Sequence, residues 1–475
     1  MHGQYLKGDI GTVAGSEKMG EKMRKPIEAN LNSNAQSHKC CEELTGHTQK
    51  NKQLIAEFAS LDSTDPEFVT HLVDRILAAA QDYSASDVHL QPFANGLEVL
   101  FRIDGVLQPI ATFASEIAPN IVARLKVRSE LLTYRTDIPQ EGRIRAETST
   151  STNSNEASSS NRPDVEMRVS TFPTLHGERA VVRLFAGSDR FRQIEDLGLP
   201  ADIAVGLADL LEKPAGAILA TGPAGSGKTT TIYACLRELA DNCKDSSERN
   251  KIRRNIVSLE DPVEVAIDGV SQSQIGERAD LDLATALRFL MRQDPEVIMV
   301  GEIRDPETAE AALRASLTGH LLLTTFHAGS AAEAVGRLLD MGIEPYLLRS
   351  GLLAILSQRL ARRLCRCHRT VSEAVDTLGV SLEEVSVPVG CEACHQTGFR
   401  ERFVLAEMLV PDRTEVGSAI ISRLEATEIE RLAVAAGMIT QWQRGVEAVA
   451  AGLTSVCEIR RVLGVSRCTN IHDEG

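Results

Sequence analysis

Eight consecutive residues, Gly222-Pro223-Ala224-Gly225-Ser226-Gly227-Lys228-Thr229, carry the glycine, lysine and hydroxyl spacing of a phosphate-binding loop. The glycines let the backbone curl until several N–H groups converge on phosphate oxygens, and a helix beginning there adds positive potential. Lys228 then neutralises the β and γ phosphates of ATP, Thr229 offers its hydroxyl to Mg²⁺, and Thr230 stands beside it. The pattern is meaningful only between a strand and a helix. Here the run Ala217-Ile218-Leu219-Ala220 precedes it and Thr230-Thr231-Ile232-Tyr233-Ala234-Cys235-Leu236 follows.

Two acidic sites accompany the loop. The apolar strand Val297 to Val300 runs into Gly301-Glu302, and Ile256 to Leu259 runs into Glu260-Asp261, closed by Pro262. In a parallel sheet the carboxyl ends of neighbouring strands share one edge, so these carboxylates face the γ-phosphate of a nucleotide on the loop. The long side chain of Glu302 suits polarising a water, or holding Mg²⁺ through water. His320 and His327 flank the run Leu321 to Thr325; alone, each reads as an ordinary core or surface histidine.

These groups need elements to hold them. A chain of 475 residues supports two to four domains. From about residue 198, strand-like runs alternate with amphipathic stretches of helix length, which predicts a parallel sheet flanked by helices. Before it, an amphipathic helix at Phe68 to Leu77 and alternating segments such as Leu97 to Ile103, with the turn Asp104-Gly105, predict a smaller sheet domain over residues 63–190. Residues 1–62 are polar and read as a disordered or partner-binding arm. The Ser/Thr/Asn tract of about residues 147–162 reads as a flexible surface loop, since it cannot bury enough apolar surface to offset its ordering entropy. The segment after about residue 400 reads as mainly helical.

Net charge of −15 argues against a general nucleic-acid binder, which shows a basic footprint. No apolar run is long enough to span a bilayer, and the first residues lack the apolar core of a signal peptide, so a cytoplasmic location is expected. Four of the ten cysteines crowd between Cys365 and Cys394, which reads as a metal site in a reduced compartment.

Taken in order, the motifs are specific. The loop, Ser258-Leu259-Glu260-Asp261-Pro262-Val263-Glu264, the stretch from Leu290 through Val300-Gly301-Glu302-Ile303-Arg304-Asp305, and Thr318-Gly319-His320 to His327 resemble the Walker A, Asp box, Walker B and His box of the type II secretion and type IV pilus ATPases. Arg359-Leu360 continues the match. Upstream, Ala85-Ser86-Asp87-Val88-His89, Arg102-Ile103-Asp104-Gly105, Pro139-Gln140-Glu141-Gly142-Arg143 and Arg168-Val169-Ser170-Thr171 resemble the family's N-terminal domain.

The resemblance implies an α/β fold: a PAS-like α+β domain, then a RecA-like P-loop domain over residues 198–475, with a zinc knuckle inserted at 364–398. It implies a homo-hexameric ring, peripheral on the inner membrane through a platform protein and a cytoplasmic-face docking protein. Glu302, Glu260 and His327 become candidate catalytic residues, joined by Arg168 and Arg183 where the family's arginines reach the nucleotide. Assembly members carry two C-x-x-C pairs. Here Cys391-Glu392-Ala393-Cys394 keeps one, whereas Cys365-Arg366-Cys367-His368 puts His368 at the second cysteine's position. The expected structural Zn²⁺ set is therefore Cys365, His368, Cys391 and Cys394, with Cys367 as the substitute if His368 points away. Two other readings stand beside the motor: a RecA-like DNA translocase or helicase, and a nucleotide-sensing scaffold.

Overall fold

The computed structural model describes residues 49–62, 65–144, 166–185, 191–241, 254–276, 282–372, 378, 382, 384–411 and 414–464. Most of the polar arm and the Ser/Thr/Asn tract lie outside the described residues.

The first part is one antiparallel sheet covered by helices. Helix α1 (Gln49–Ala59) and helix α2 (Phe68–Asp82) lead into strands β1 (Asp87–Phe93), β2 (Gly96–Ile103) and β3 (Val106–Ala114). Helix α3 (Ala118–Arg128) precedes β4 (Gln140–Ile144), β5 (Glu166–Thr174) and β6 (Gly177–Phe185). The sheet order is β3-β2-β1-β6-β5-β4. Sequence reasoning predicts an arm to residue 62, yet its last turns are α1. Leu54 and Phe58, four residues apart, lie on one helical face and are buried in the same core as Leu72, Phe101 and Ile121.

Within this core sits a charge pair. Lys126 on α3 is fully buried and faces Glu178 on β6 at 2.5 Å, while its ammonium also donates to the Arg135 carbonyl at 2.8 Å. A buried ammonium persists only when paired and hydrogen-bonded, and both conditions hold.

The second part is a wound sheet. A 3-10 turn at Ile194–Leu197 and helix α4 (Ala201–Leu211) bring the chain to β7 (Gly216–Thr221), α5 (Lys228–Asp241), β8 (Ile256–Glu260) and β9 (Ser271–Gln274). Helix α6 (Leu283–Leu290), β10 (Val297–Val300), α7 (Pro306–Leu317), β11 (Leu321–Phe326), α8 (Ala331–Asp340) and α9 (Pro345–Gly351) follow. The long strand β12 (Leu352–Leu364), the ribbon β13 (Arg369–Val371) and β14 (Val385–Val387), and β15 (Phe399–Leu409) complete the strands. Helices α10 (Thr414–Ile421), α11 (Ala426–Ala435), α12 (Gln441–Ala450) and α13 (Val456–Leu463) come last.

The order is β15-β12-β7-β11-β10-β8-β9, parallel throughout except for β12 against β15. Strands β7, β10 and β11 are buried at every position, as a sheet covered on both faces requires. Separate apolar clusters pack the two faces.

The end of the chain is mainly helical as expected, in α10 to α13, with strand β15 the exception at its start. The strand's Val404-Leu405-Ala406-Glu407-Met408-Leu409 has good helix formers, but pairing with β12 from Ile355 to Leu364 overrides propensity.

The two sheets meet through the β2–β3 turn. Asp104 accepts the Glu401 backbone N–H at 3.1 Å and faces Arg402 at 3.5 Å, and Tyr83 stacks on His395 with ring centroids 4.7 Å apart.

Replacing Lys126 by Met leaves Glu178 buried without its counter-charge. Urea unfolding of Lys126→Met should show a loss of about 3–5 kcal/mol; a loss below about 1 kcal/mol, the worth of an exposed pair, would mean the pair is solvated.

Candidate active site at the carboxyl edge of the second sheet

Parallel register decides which side chains meet. Val300 pairs with Leu259 on one side and Thr324 on the other, and Thr221 pairs with Phe326. The segments leaving β7, β8, β10 and β11 therefore emerge together, and each carries one part of the predicted site: the phosphate loop, Glu260-Asp261, Glu302 and His327.

The loop has the backbone its composition predicts. Gly222 and Gly227 hold φ of +143° and +90°, a region costly for side-chain-bearing residues. Gly222 has a second constraint, since a Cβ there would lie 2.3 Å from the Gln358 carbonyl oxygen on β12. Lys228 opens α5, and Thr229 and Thr230 stand in the same first turn. The Lys228 ammonium lies across the loop and donates to the carbonyls of Gly222 at 2.9 Å and Pro223 at 3.1 Å. Burial pulls its pKa down, and the negative charge of Glu302 pulls it back up.

From Lys228 a line of charged and polar groups crosses the sheet edge. His327 Nδ1 is 3.5 Å from the Lys228 ammonium, and its Nε2 is 2.9 Å from Glu302 Oε1. A neutral ring protonated on Nε2 satisfies both contacts, accepting from the lysine and donating to the carboxylate. The other Glu302 oxygen accepts from Arg304 Nε at 3.0 Å, and Arg304 reaches Asp261 at 3.8 Å. Arg337 donates to the His327 carbonyl and so fixes the turn that presents the ring. His320 lies at the far end of β11, near the Ala315 carbonyl at 2.9 Å, and takes no part.

Glu260 is placed differently from Glu302. It is buried, and both its oxygens are engaged: one accepts from Tyr233, the other from Ser258 at 2.6 Å and Gln272 at 3.0 Å. Burial and this carboxylate both push the Tyr233 hydroxyl's pKa up. The same hydroxyl accepts the Glu264 N–H at 3.2 Å, so Tyr233 ties helix α5 to the Asp-box segment.

Arg168 and Arg183 are directly opposed on β5 and β6. Arg183 donates to Asp87 at 3.1 Å. Both arginines act on Glu264: desolvation by the surrounding protein raises its carboxyl pKa, although part of the residue reaches solvent, and the two positive charges lower it. The first sheet's cations thus act electrostatically on the second sheet's Asp-box segment.

Gln358 escaped sequence reasoning. It is buried on β12, donates to the Ser226 carbonyl at 2.9 Å and accepts from Thr231 at 3.1 Å. Its signal was a Ser-Gln-Arg interruption within the apolar run Leu352 to Leu364.

The cysteine cluster corrects one expected ligand. The thiols of Cys365, Cys367, Cys391 and Cys394 all lie within 4.8 Å of one another. Three sulfur pairs, 365–391, 367–394 and 391–394, are 3.7 to 3.8 Å apart. Sulfurs about 2.3 Å from a tetrahedral zinc would be about 3.8 Å apart, so the set fits a closed Cys₄ site. His368 is not in it. Its N–H and Nδ1 both return to the Cys365 carbonyl, at 3.0 and 2.9 Å, closing the turn that swings Cys367 inward. The backbone N–H groups of Cys391 and Gly398 point at the Cys394 sulfur at 3.1 and 3.3 Å; burial raises the pKa of this thiol, and the two N–H donors offset only part of the rise.

A phosphate loop on a wound parallel sheet, with a glutamate and a histidine at the same edge, defines a P-loop ATPase. The comparisons agree: the chain belongs to the type II/IV secretion system protein family, whose model matches residues 62–461. It is 40% identical over 410 residues to type II secretion system protein E of Aeromonas hydrophila, covering 85% of this chain and 77% of that protein. It is 36% identical over 417 residues to the type IV pilus assembly ATPase PilB of Thermus thermophilus, covering 86% of this chain and 44% of that one. Among solved structures, the ATPase DotB of Legionella pneumophila is similar in fold, with a TM-score of 0.58 at 21% identity, covering 84% of this chain and 97% of that one. The pilus retraction motor PilT gives a TM-score of 0.52 at 24% identity, covering 81% and 95%.

Elemental analysis of the purified protein should find about one zinc per chain, as a single four-ligand site holds. Cys367→Ser should bring it close to zero and His368→Ala should leave it unchanged; the reverse pattern would restore His368 as the ligand.

Proposed function

We propose that this ATPase works as a homo-hexameric ring that couples ATP hydrolysis to assembly of a secretion pseudopilus or a type IV pilus. It acts in the cytoplasm, peripheral on the inner membrane, through a platform protein and a docking protein on its cytoplasmic face. The observation that carries this reading is the line from Lys228 through His327 to Glu302, Arg304 and Asp261 along one sheet edge. Among the described residues no helix is long and apolar enough to cross a membrane, which is compatible with attachment through partners.

The residue roles follow from charge and position. The loop from Gly222 to Thr230 wraps the phosphates, with Lys228 set against the β and γ phosphates. The Thr229 hydroxyl would hold Mg²⁺, which in turn draws charge from the phosphate oxygens. Glu302 polarises the attacking water, and its two partners, His327 and Arg304, hold the carboxylate in place. Glu260, with its oxygens already committed, acts by fixing the Asp-box segment. Arg168 and Arg183 supply positive charge from the first sheet to a γ-phosphate and lose that attraction after hydrolysis. Such a loss gives each catalytic cycle a mechanical consequence. The Cys₄ knuckle would hold Zn²⁺ in a structural role.

The relatives' names support a secretion or pilus motor over a DNA translocase, as does the acidic balance of the chain. Light scattering on the full chain with Mg²⁺ and a slowly hydrolysed ATP analogue should give six times the subunit mass. Hydrolysis should not rise on adding single-stranded DNA. A monomer in every condition, or strong stimulation by DNA, would overturn the proposal.

A further inference from the structure

We propose that Gln358 is a positioning residue for phosphate binding: its amide bridges the phosphate loop to its following helix and sets the loop's curl. The inference rests on reading this loop as the nucleotide site. Strand β12 lies beside β7 and runs parallel to it, and their pairing ends at Ser357 opposite Thr221, one residue before the loop begins. The next residue of β12 is Gln358. It meets the loop with both its backbone and its side chain.

The backbone contact is steric: the Gln358 carbonyl approaches Gly222 so closely that no Cβ fits there. The side-chain contacts are directional. The Gln358 NH₂ donates to the carbonyl of Ser226, two residues before Lys228, and its Oε1 accepts from Thr231 in the first turn of α5. A peptide unit has its C=O and the following N–H on opposite sides, because the amide is planar and trans. Holding the Ser226 carbonyl toward β12 therefore turns the Gly227 N–H to the opposite side of that peptide. The side chain is 1% exposed, so neither bond competes with bulk water, and losing one partner leaves a buried polar atom unsatisfied.

The strand that carries Gln358 is held by a buried chain of bonds at the residue before it. The adjacent Ser357 accepts from the Gln441 side chain at 3.1 Å, and the Gln441 N–H donates to Glu407 at 3.0 Å. Glu407 also accepts the Ala331 N–H at 2.8 Å, at the start of α8, four residues after His327. Burial raises the Glu407 carboxyl pKa, and the two N–H donors lower it. On the other side, Arg359 donates to the Gly329 carbonyl at 3.1 Å. The same strand thus touches the phosphate loop and the turn that carries His327, which makes β12 the shared reference for both halves of the site.

The test uses the full chain, titrated with a fluorescent ATP analogue in Mg²⁺, with steady-state KM and kcat and the unfolding midpoint measured on the same samples. Gln358→Met keeps the shape but removes donor and acceptor. It should weaken nucleotide binding and raise KM about tenfold, the scale of one or two lost buried hydrogen bonds, with kcat within about threefold. Thr231→Val, which frees only one end of the amide, should cost about threefold, and the double variant should be no weaker than Gln358→Met alone. A merely structural role would lower the unfolding midpoint and leave the affinity unchanged. Unchanged affinity in Gln358→Met, or losses that multiply to about thirtyfold in the double variant as independent sites would, overturn the inference. Should Gln358→Met fail to fold, Gln358→Glu reads the same loss, since it keeps the acceptor and sets a carboxylate against the Ser226 carbonyl. Lys228→Ala is the control: normal nucleotide binding in that variant would remove the loop as the nucleotide site, and the inference with it.

Discussion

Everything at the site depends on the in-register parallel pairing of β7, β11, β10 and β8. Because Val300 lies between Leu259 and Thr324, and Phe326 lies opposite Thr221, four chain segments leave the sheet at one level. A slip of one residue in any strand would turn its side chains to the other face. Burial on both faces resists such a slip, since every residue of β7, β10 and β11 is already in contact with packed apolar neighbours. The chemistry is therefore positioned by hydrophobic packing far larger than any single polar contact at the edge.

On that frame the polar groups divide into two kinds. Glu302 and His327 are partly open to solvent and Lys228 is buried beside them, the three joined by one contact between each neighbouring pair, as groups that must exchange partners during a reaction should be. Glu260, Gln358 and Glu407 are buried and have their polar atoms engaged. They hold the segments on which the first kind stand. The first sheet contributes at a distance: Arg168 and Arg183 act on Glu264, while Asp104 and Tyr83 grip the segment around the cysteine knuckle. One sheet thus acts electrostatically on the Asp-box segment and makes a second contact elsewhere, an arrangement suited to coupling nucleotide state to domain position.

Much of this was legible in the sequence because it rests on local rules. The glycine spacing of the loop, the apolar strands and the acids at their ends need no tertiary knowledge. What escaped reading were features whose cause is distant in the chain. Strand β15 has the composition of a helix and becomes a strand because β12 needs a partner. Helix α1 is polar overall, and it is seated by the core beneath Leu54 and Phe58 and by the Glu57–Arg75 ion pair. His368 fitted the expected spacing of a zinc ligand, but its ring closes a turn on the Cys365 carbonyl and Cys367 faces the other thiols instead. Gln358 looked like one polar residue in an apolar run, and its role exists only because β12 neighbours β7.

The central proposal is that Glu302, held by His327 at the sheet edge, acts on the attacking water and is not needed to hold the nucleotide. Steady-state ATP hydrolysis and nucleotide affinity, measured side by side on the native protein and Glu302→Gln, test it most directly. The account predicts hydrolysis lowered at least about a hundredfold, the usual worth of a positioned general base, with affinity nearly unchanged. Hydrolysis persisting at the native rate in Glu302→Gln would contradict it.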